Sequence, residues 1–329
     1  MKKIITLSML FVATAFFAQE EEKEKKLSIG GSIDAYYQTY LTAPDNIVQS
    51  FGTSFVDRTG FALGMANLIA SYDGKKTGVV ADLAFGPRGV DAVGSDYDIF
   101  INQLFAYWDV SESTTLTMGR FNTYLGYEVI SPTGNFNYST SYLFSNGPFS
   151  HLGLKADFAL SEDFSLMLAV MNVTDVYDNI TGNYALGAQF GYAGQFLNFY
   201  YDNKQALGFE IDYTGGFDLS DDFYLGINGA YQTSDDAGFY GVALYPQFAA
   251  SDAFSLGLRG EFFGYHEKDA DDLPSVFAAT LTGSYTLESL TIKPEIRLDS
   301  WSNDEPYLNA DDEASKSLAA FTLAAIYSF

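Results

Sequence analysis

The chain has 329 residues, with 17 lysines and arginines against 42 aspartates and glutamates, a net charge of −25, and no cysteine. So acidic a chain repels phosphate, which excludes nucleic acid as a partner, and without cysteine it has no disulfide staples and only a thin set of metal ligands. With 29 Phe and 24 Tyr at a mean hydropathy near zero, the composition suits a surface that meets lipid on one side and water on the other.

Taken in order, Lys2 and Lys3 precede an apolar run from Ile4 to Phe17, and Ala18-Gln19 offers a small residue for cleavage. This is the pattern of a secretory signal peptide over residues 1–18, and the run is too short to cross a bilayer as a helix. Residues 19–26 read as a short charged periplasmic tail, and residues 27–329 as one domain without a linker. Strict alternation then begins. Ile29, Gly31, Ile33, Ala35 and Tyr37 share one face, while Ser28, Ser32, Asp34, Tyr36 and Gln38 share the other. Period two with one apolar face means a strand. The pattern returns to the end of the chain, for instance as Leu207, Phe209, Ile211 and Tyr213 against Glu210 and Asp212, and no stretch keeps a helical period.

The connections alternate too. One set is short, as at Asp73-Gly74-Lys75-Lys76, Ser161-Glu162-Asp163, Ser220-Asp221-Asp222 and Leu287-Glu288-Ser289; the other is longer and mostly acidic, as at 267–274 and 301–316. Strands near the ~9–11 residues that cross a bilayer at a tilt and an even count predict an all-β fold. That fold is a transmembrane, antiparallel, up-and-down β-barrel of about 16 strands.

The stretch from Met118 onward departs from plain alternation. Leu116 and Met118 face lipid, and unbroken alternation would place Arg120 with them, at a cost on the order of 2–4 kcal/mol near the membrane midplane. A β-bulge at Gly119 is therefore expected, turning Arg120, Asn122 and Glu128 to the lumen and Phe121, Leu125 and Tyr127 to lipid. Between Glu128 and Lys155 no residue is charged, and the segment is rich in aromatics, among them Tyr138, Tyr142 and Phe144. Such a loop is costly to expose. Ser131 to Phe149 is expected to fold into the lumen and narrow it, with Tyr138 and Tyr142 on the constriction and His151, Lys155 and Asp157 on the following strand. The flanking charges then either line the narrowest point of a pore or pin loop and wall together by salt bridges.

Further lumen candidates follow from spacing. Asp82 opposes Leu83 and Val79 in its strand, Arg259 and Glu261 are two apart, and Lys293, Glu295, Arg297 and Asp299 alternate in sign. Residues two apart share a face, so these either line a water-filled interior or knit a closed polar network. Only two histidines exist, His151 and His266, too few for a zinc or Ser-His site without further partners. No catalytic residue, metal or cofactor is expected. The acidic loops around Asp269 and Asp311 lack the ordered glycine and final glutamate of an EF-hand and read as solvated. Pro246 and Pro294 fall inside strands on the lipid side, where each removes a ladder hydrogen bond.

The chain ends Ala325-Ile326-Tyr327-Ser328-Phe329, which looks like the terminal signal that barrel assembly machinery recognises. Gly119-Arg120-Phe121-Asn122-Thr123 through Gly126-Tyr127-Glu128, with Asn135-Phe136-Asn137-Tyr138-Ser139, Gly147-Pro148-Phe149-Ser150-His151-Leu152-Gly153, Tyr36-Tyr37 and Ala84-Phe85-Gly86-Pro87-Arg88-Gly89, resembles the OmpL-like β-barrel porin family of bacterial outer membranes. The resemblance implies an outer-membrane porin for small solutes, and with the reading of the residues the expectation is an integral channel, not an enzyme, that lets small hydrophilic solutes or ions diffuse passively through a barrel narrowed by residues 131–149. Its expected partners are outer-membrane lipid and lipopolysaccharide, the assembly machinery through Phe329, small solutes or ions, and further copies of itself. The alternative is a closed or plugged barrel serving structure, adhesion or interaction.

Overall fold

The computed structural model describes residues 26–46, 49–94 and 100–329, so the expected signal peptide at 1–18 and all but the last residue of the tail at 19–26 lie outside the described residues. Among the described residues the strands are β1 (Lys26–Tyr40), β2 (Gly60–Asp73), β3 (Thr77–Phe85), β4 (Ile101–Ser111), β5 (Thr114–Asn122), β6 (Ser150–Ala159), β7 (Phe164–Asn172), β8 (Tyr184–Tyr192) and β9 (Gln195–Tyr201). They continue as β10 (Phe209–Asp218), β11 (Phe223–Ser234), β12 (Ala237–Ala249), β13 (Phe254–Glu267), β14 (Ser275–Leu287), β15 (Leu290–Trp301), β16 (Tyr307–Leu308), β17 (Ala314–Ser315) and β18 (Ser317–Ser328). Each of β1 to β15 pairs with its sequence neighbours, and β18 closes the ring between β15 and β1, giving one closed barrel of 16 strands, while β16 and β17 form a small hairpin in the last long loop. All pairings are antiparallel. At the seam Phe329 exchanges two 3.0 Å backbone hydrogen bonds with Gly31.

The short turns recur for a local reason. In Leu160-Ser161-Glu162-Asp163-Phe164 the Leu160 N–H donates to the Phe164 carbonyl at 2.9 Å and the Ser161 hydroxyl accepts from the Phe164 N–H at 3.0 Å. Ser251 accepts from Phe254 N–H in the same way at 3.1 Å. A serine one residue into a turn gives the backbone a local acceptor and so stops the strand there.

Two short helices depart from the expectation of none: α1 (Pro87–Val93) and α2 (Tyr142–Asn146). Pro87 opens α1, where its missing N–H costs nothing, and Ser141 caps α2 by accepting from the Phe144 N–H. Each is too short to print a helical period on the sequence.

Burial follows the alternation all round the ring. Ile29, Ile33, Leu104, Met118, Val170, Leu258, Leu281 and Leu323 are exposed on the outside, whereas Ser32, Asp34, Asn67, Thr117, Asn198, Asp212, Arg259 and Glu295 are buried on the inside. Apolar rows outward and polar rows inward is a protein built for surroundings less polar than its own interior.

The expected bulge at Gly119 is absent. β5 pairs without a slip as Met118↔Leu154, Gly119↔Gly153, Arg120↔Leu152 and Phe121↔His151. Phe121 therefore stays in the inward row and is buried with Leu125, Met167, Met171 and Tyr200, and Tyr127 is buried against Tyr245, their rings 4.3 Å apart. None of Phe121, Leu125 and Tyr127 faces lipid, because the interior they enter is itself packed with aromatic side chains. Arg120 keeps the outward parity of Met118 yet is buried: it donates to the carbonyls of Asn102 at 3.3 Å and Val176 at 3.2 Å and stacks on the Tyr177 ring at 4.1 Å. The 173–183 loop, not a bulge, removes it from lipid. Register shifts occur elsewhere, between Ile33 and Ala35 and between Asp82 and Leu83.

Both prolines open the ladder on one flank only. Pro246 pairs with Leu225 and Pro294 with Leu323, while β12–β13 pairing skips from Leu244 to Gln247 and β14–β15 pairing from Glu295 to Ile292. A missing donor breaks one neighbour's bonds and spares the other's.

Gly119 holds φ at 138°, and a Cβ there would stand 2.2 Å from the Leu104 carbonyl oxygen. Gly119→Ala should lower the stability of the folded barrel by about 1–3 kcal/mol, read as an earlier loss of the heat-modifiable band on a gel. Gly260→Ala, with nothing within 4 Å of the new Cβ, should stay within about 0.5 kcal/mol of the parent.

Candidate functional site

Buried backbone must find hydrogen-bond partners, and residues 123–149, which leave β5 at the long-loop rim and run through the lumen, supply few of their own beyond α2, among them Thr123 N–H to the Phe149 carbonyl at 3.0 Å and Val129 N–H to Asn135 Oδ1 at 2.9 Å. The wall supplies the rest. Glu295 accepts from Tyr138 N–H at 2.8 Å and Ser139 N–H at 3.1 Å. Glu128 accepts from Ser141 N–H at 2.6 Å, and Glu261 from Tyr142 N–H at 3.0 Å and Leu143 N–H at 2.8 Å. Glu261 thus sits on the first turn of α2, where helical N–H groups lack partners. The cations take the carbonyls. Arg259 donates to Ser139 at 2.6 Å and Thr140 at 3.2 Å, Arg297 to Thr140 at 3.0 Å, and Lys293 to Asn135 at 2.5 Å.

These groups also neutralise one another. Arg259 and Glu128 form an ion pair at 2.7 Å, and Arg297 grips Asp299 through two 2.8 Å bonds. Side chains of the segment complete the set: the Tyr138 hydroxyl donates to Asp34 at 2.5 Å and the Tyr142 hydroxyl to Asp299 at 2.7 Å. Burial pushes both phenols well above their ordinary range, reinforced by those carboxylates. They remain donors at any physiological pH.

The remaining circumference is covered by the same segment and two others. Gly126 N–H donates to Asp212 at 3.0 Å and the Tyr124 hydroxyl to the Phe199 carbonyl at 2.7 Å, which lays residues 123–127 against β9 and β10. From the first long loop Phe51, Phe55 and Val56 are buried, and from α1 Arg88 donates to the Ile130 carbonyl at 2.8 Å with its guanidinium 4.3 Å over the Phe55 ring. Burial lowers the Arg88 pKa, countered chiefly by Asp34. The segment is fixed at its exit by Asp175, which accepts from Phe149 N–H at 3.0 Å and Ser150 N–H at 2.8 Å. Burial pushes that carboxyl up and these bonds pull it back.

The residues singled out from the sequence fall into three groups. Glu128, Tyr138, Tyr142, Arg259, Glu261, Lys293, Glu295, Arg297 and Asp299 converge on residues 131–149 and are buried there. Of the two readings left open for these charges, pinning loop to wall is the geometry observed. Lys155 and Asp157 pair with each other at 2.7 Å, with 22 % and 31 % of their side chains exposed, on the short-turn side of the segment. The others stand apart. Asp82 is held by the amides of Asn67, Asn102 and Gln103; Asn122 N–H donates to Gln103 at 3.2 Å; His151 is buried, its Nε2 3.0 Å from the Thr123 hydroxyl. Arg120 does not join Glu128, since it lies under Tyr177.

Missed altogether were Asp34, Arg88 and the cluster Asn198, Asp212 and Asn228, in which both amides donate to Asp212 at 2.6 Å. Asp34 and Asp212 stood in inward rows of the alternation and could have been found by that signal. Arg88 could not, because it reaches the lumen from a helix.

A closed barrel with apolar rows outward, polar rows inward and a loop folded through its lumen defines a channel of the outer-membrane porin class. The chain belongs to the family described as "Putative beta-barrel porin-2, OmpL-like", which matches residues 26–329. No curated protein matches it in sequence. Among solved structures it is similar to the anion-selective porin from Comamonas acidovorans (10% identity, 93% of this chain and 100% of that one, TM-score 0.60). It is also similar to OmpT of Vibrio cholerae (10%, 95% and 99%, TM-score 0.53) and to the outer membrane protein opdK of Pseudomonas aeruginosa (9%, 92% and 99%, TM-score 0.51). At these identities the likeness is one of fold. The chain is an outer-membrane porin.

Removing one partner of a buried ion pair strands the other, at about 3–5 kcal/mol. Arg259→Ala should therefore loosen residues 131–149, seen as new cleavage between Thr133 and Gly147 by protease added from outside. Lys155→Ala breaks a partly exposed pair worth about 0–1 kcal/mol and should leave the segment protected.

Proposed function

We propose that the chain lets small ions and small hydrophilic solutes diffuse passively across the outer membrane, with residues 131–149 setting the aperture. The observation that carries this reading is the set of wall charges on β13 and β15 that hold the backbone of that segment across the lumen. On this reading the protein is a channel and not an enzyme, and its histidines are engaged elsewhere: His151 with Thr123, and His266 with the Gln232 carbonyl at 2.8 Å. Residues 19–26 serve as a periplasmic tail. The outward apolar rows meet lipid and lipopolysaccharide, and the strand ending at Phe329 is the handle for the assembly machinery. Assembly into homo-oligomers fits one V. cholerae OmpT neighbour, described as a trimer form.

Selectivity follows from where charge is left uncompensated. The outer loops carry exposed acids at Asp271, Asp272, Asp311 and Asp312, which concentrate cations at the mouth over about 8 Å at physiological salt. The basic side chains near the segment are paired or bonded to carbonyls, so they offer little opposition. The anion selectivity of the Comamonas porin belongs to that protein and is not carried over. We expect weak cation selectivity that fades as salt rises and is unchanged by Arg120→Ser. Reversal potentials across a KCl gradient in planar bilayers measure it.

The burial of Arg259, Glu261, Asp299 and His151 favours a second reading, a barrel closed at rest. Deleting Asn135 to Asn146 separates the two: an aperture set by the segment gives measurable conductance in the parent and a higher one after deletion. A parent that is silent and a deletion that opens it means a closed gate, and equal conductance in both sinks the role assigned to the segment.

A further inference from the structure

The wall charges that hold residues 131–149 are compensated, but those on the neighbouring arc of wall at β10 are not. Glu210 and Asp212 both point inward from β10, and both are buried. Asp212 is satisfied, by Gly126 N–H and the amides of Asn198 and Asn228. Glu210 is not: its Oε2 is buried without a hydrogen-bonding partner among the described residues. The same holds for Asn228 Oδ1, whose orientation is fixed because the amide Nδ2 already donates to Asp212 at 2.6 Å and to the Tyr213 carbonyl at 3.1 Å. Glu210, Asp212 and Asn228 line one cavity of ≈ 10 Å³ between β10–β11 and the infolded segment, closed on the far side by Leu125, Leu143, Phe144 and Pro148, with no lysine or arginine among its lining residues.

We propose that this cavity is a seat for one small hard cation, held by Glu210 and Asp212, which stand two apart in one inward row of β10, with Asn228 fixing Asp212 from β11. Two buried carboxylates without a counter-charge are costly in an apolar surround. The unpartnered atoms of its lining residues, Glu210 Oε2 and Asn228 Oδ1, are oxygen acceptors, the donor set that hard cations take. The volume is about that of one water molecule, so an ion enters stripped of most of its shell. The seat deepens the porin reading, on which it rests only for its part in permeation: it lies where the infolded segment meets the wall and gives the passage a specific cation step.

The test uses the full-length barrel in detergent. Its thermal unfolding is followed at constant ionic strength in NaCl, in CaCl2 and in N-methyl-D-glucamine chloride, whose organic cation is too large for the cavity. Sodium or calcium should raise the midpoint above that in N-methyl-D-glucamine, and the salt that does so identifies the valence preferred. Glu210→Gln should abolish the difference, while Asp163→Asn in a short turn should keep it. Equal midpoints in all three salts mean that Glu210 carries a proton instead of a metal ion, and overturn the seat; so does a difference that survives Glu210→Gln. Bilayer reversal potentials on the same samples separate the two levels. A cation-dependent midpoint in a barrel that never conducts keeps the seat and ends the diffusion reading. Conduction with a cation preference unchanged by Glu210→Gln, and midpoints equal in all salts, keeps the porin and ends the seat.

Discussion

Hydrogen bonding of a buried backbone that has no secondary structure of its own governs this molecule. A strand or helix satisfies its N–H and C=O groups internally, but most of residues 123–149 does neither, and so deep in the lumen water cannot substitute. Three carboxylates and three cations from the wall and the segment's own root take that role, at Tyr138 to Leu143 for the N–H groups and at Asn135, Ser139 and Thr140 for the carbonyls. This explains why residues 129–149 carry no charge. The segment's partners are charged, so a charge within it would compete for them.

The same constraint explains why acids and bases are mixed along β13 and β15. A backbone offers donors and acceptors in equal number, so its partners must come in both signs. Ion pairs such as Arg259 with Glu128 and Arg297 with Asp299 then lower the cost of burying each group. Rotating the segment would break several charge-assisted bonds together, so the aperture is defined by a cooperative unit and not by a hanging loop. Pro294 interrupts strand pairing immediately beside Lys293, which donates to the Asn135 carbonyl of the infolded segment.

On the adjoining arc of the wall the balance differs. β10 and β11 present carboxylates and amides to residues 123–127 but no cation, and the result is a cavity whose free atoms are oxygens. The lumen wall thus differs from arc to arc: β13 and β15 bond the infolded segment, and β10 and β11 keep unpaired oxygen acceptors. Lys155 and Asp157, partly exposed on the short-turn side, belong to neither set.

Period-two alternation, together with short serine-bearing turns and long acidic loops, was sufficient for the strand count, the direction of each inward row and the closed barrel, because those depend on local geometry and on which face meets lipid. The absence of charge from 129 to 154 also marked the infolded segment. Residue partners were another matter. Glu295 finds Tyr138 and Arg259 finds Glu128 across more than a hundred residues of chain, and no spacing rule reports such a contact. The bulge expected at Gly119 failed for a related reason: it is needed only if an outward arginine must meet lipid and an inward phenylalanine must meet water. Tyr177 covers the arginine, and Met167, Met171 and Tyr200 surround the phenylalanine. Alternation fixes which side of a wall a residue points to, but what waits on that side is decided only when the loops fold in.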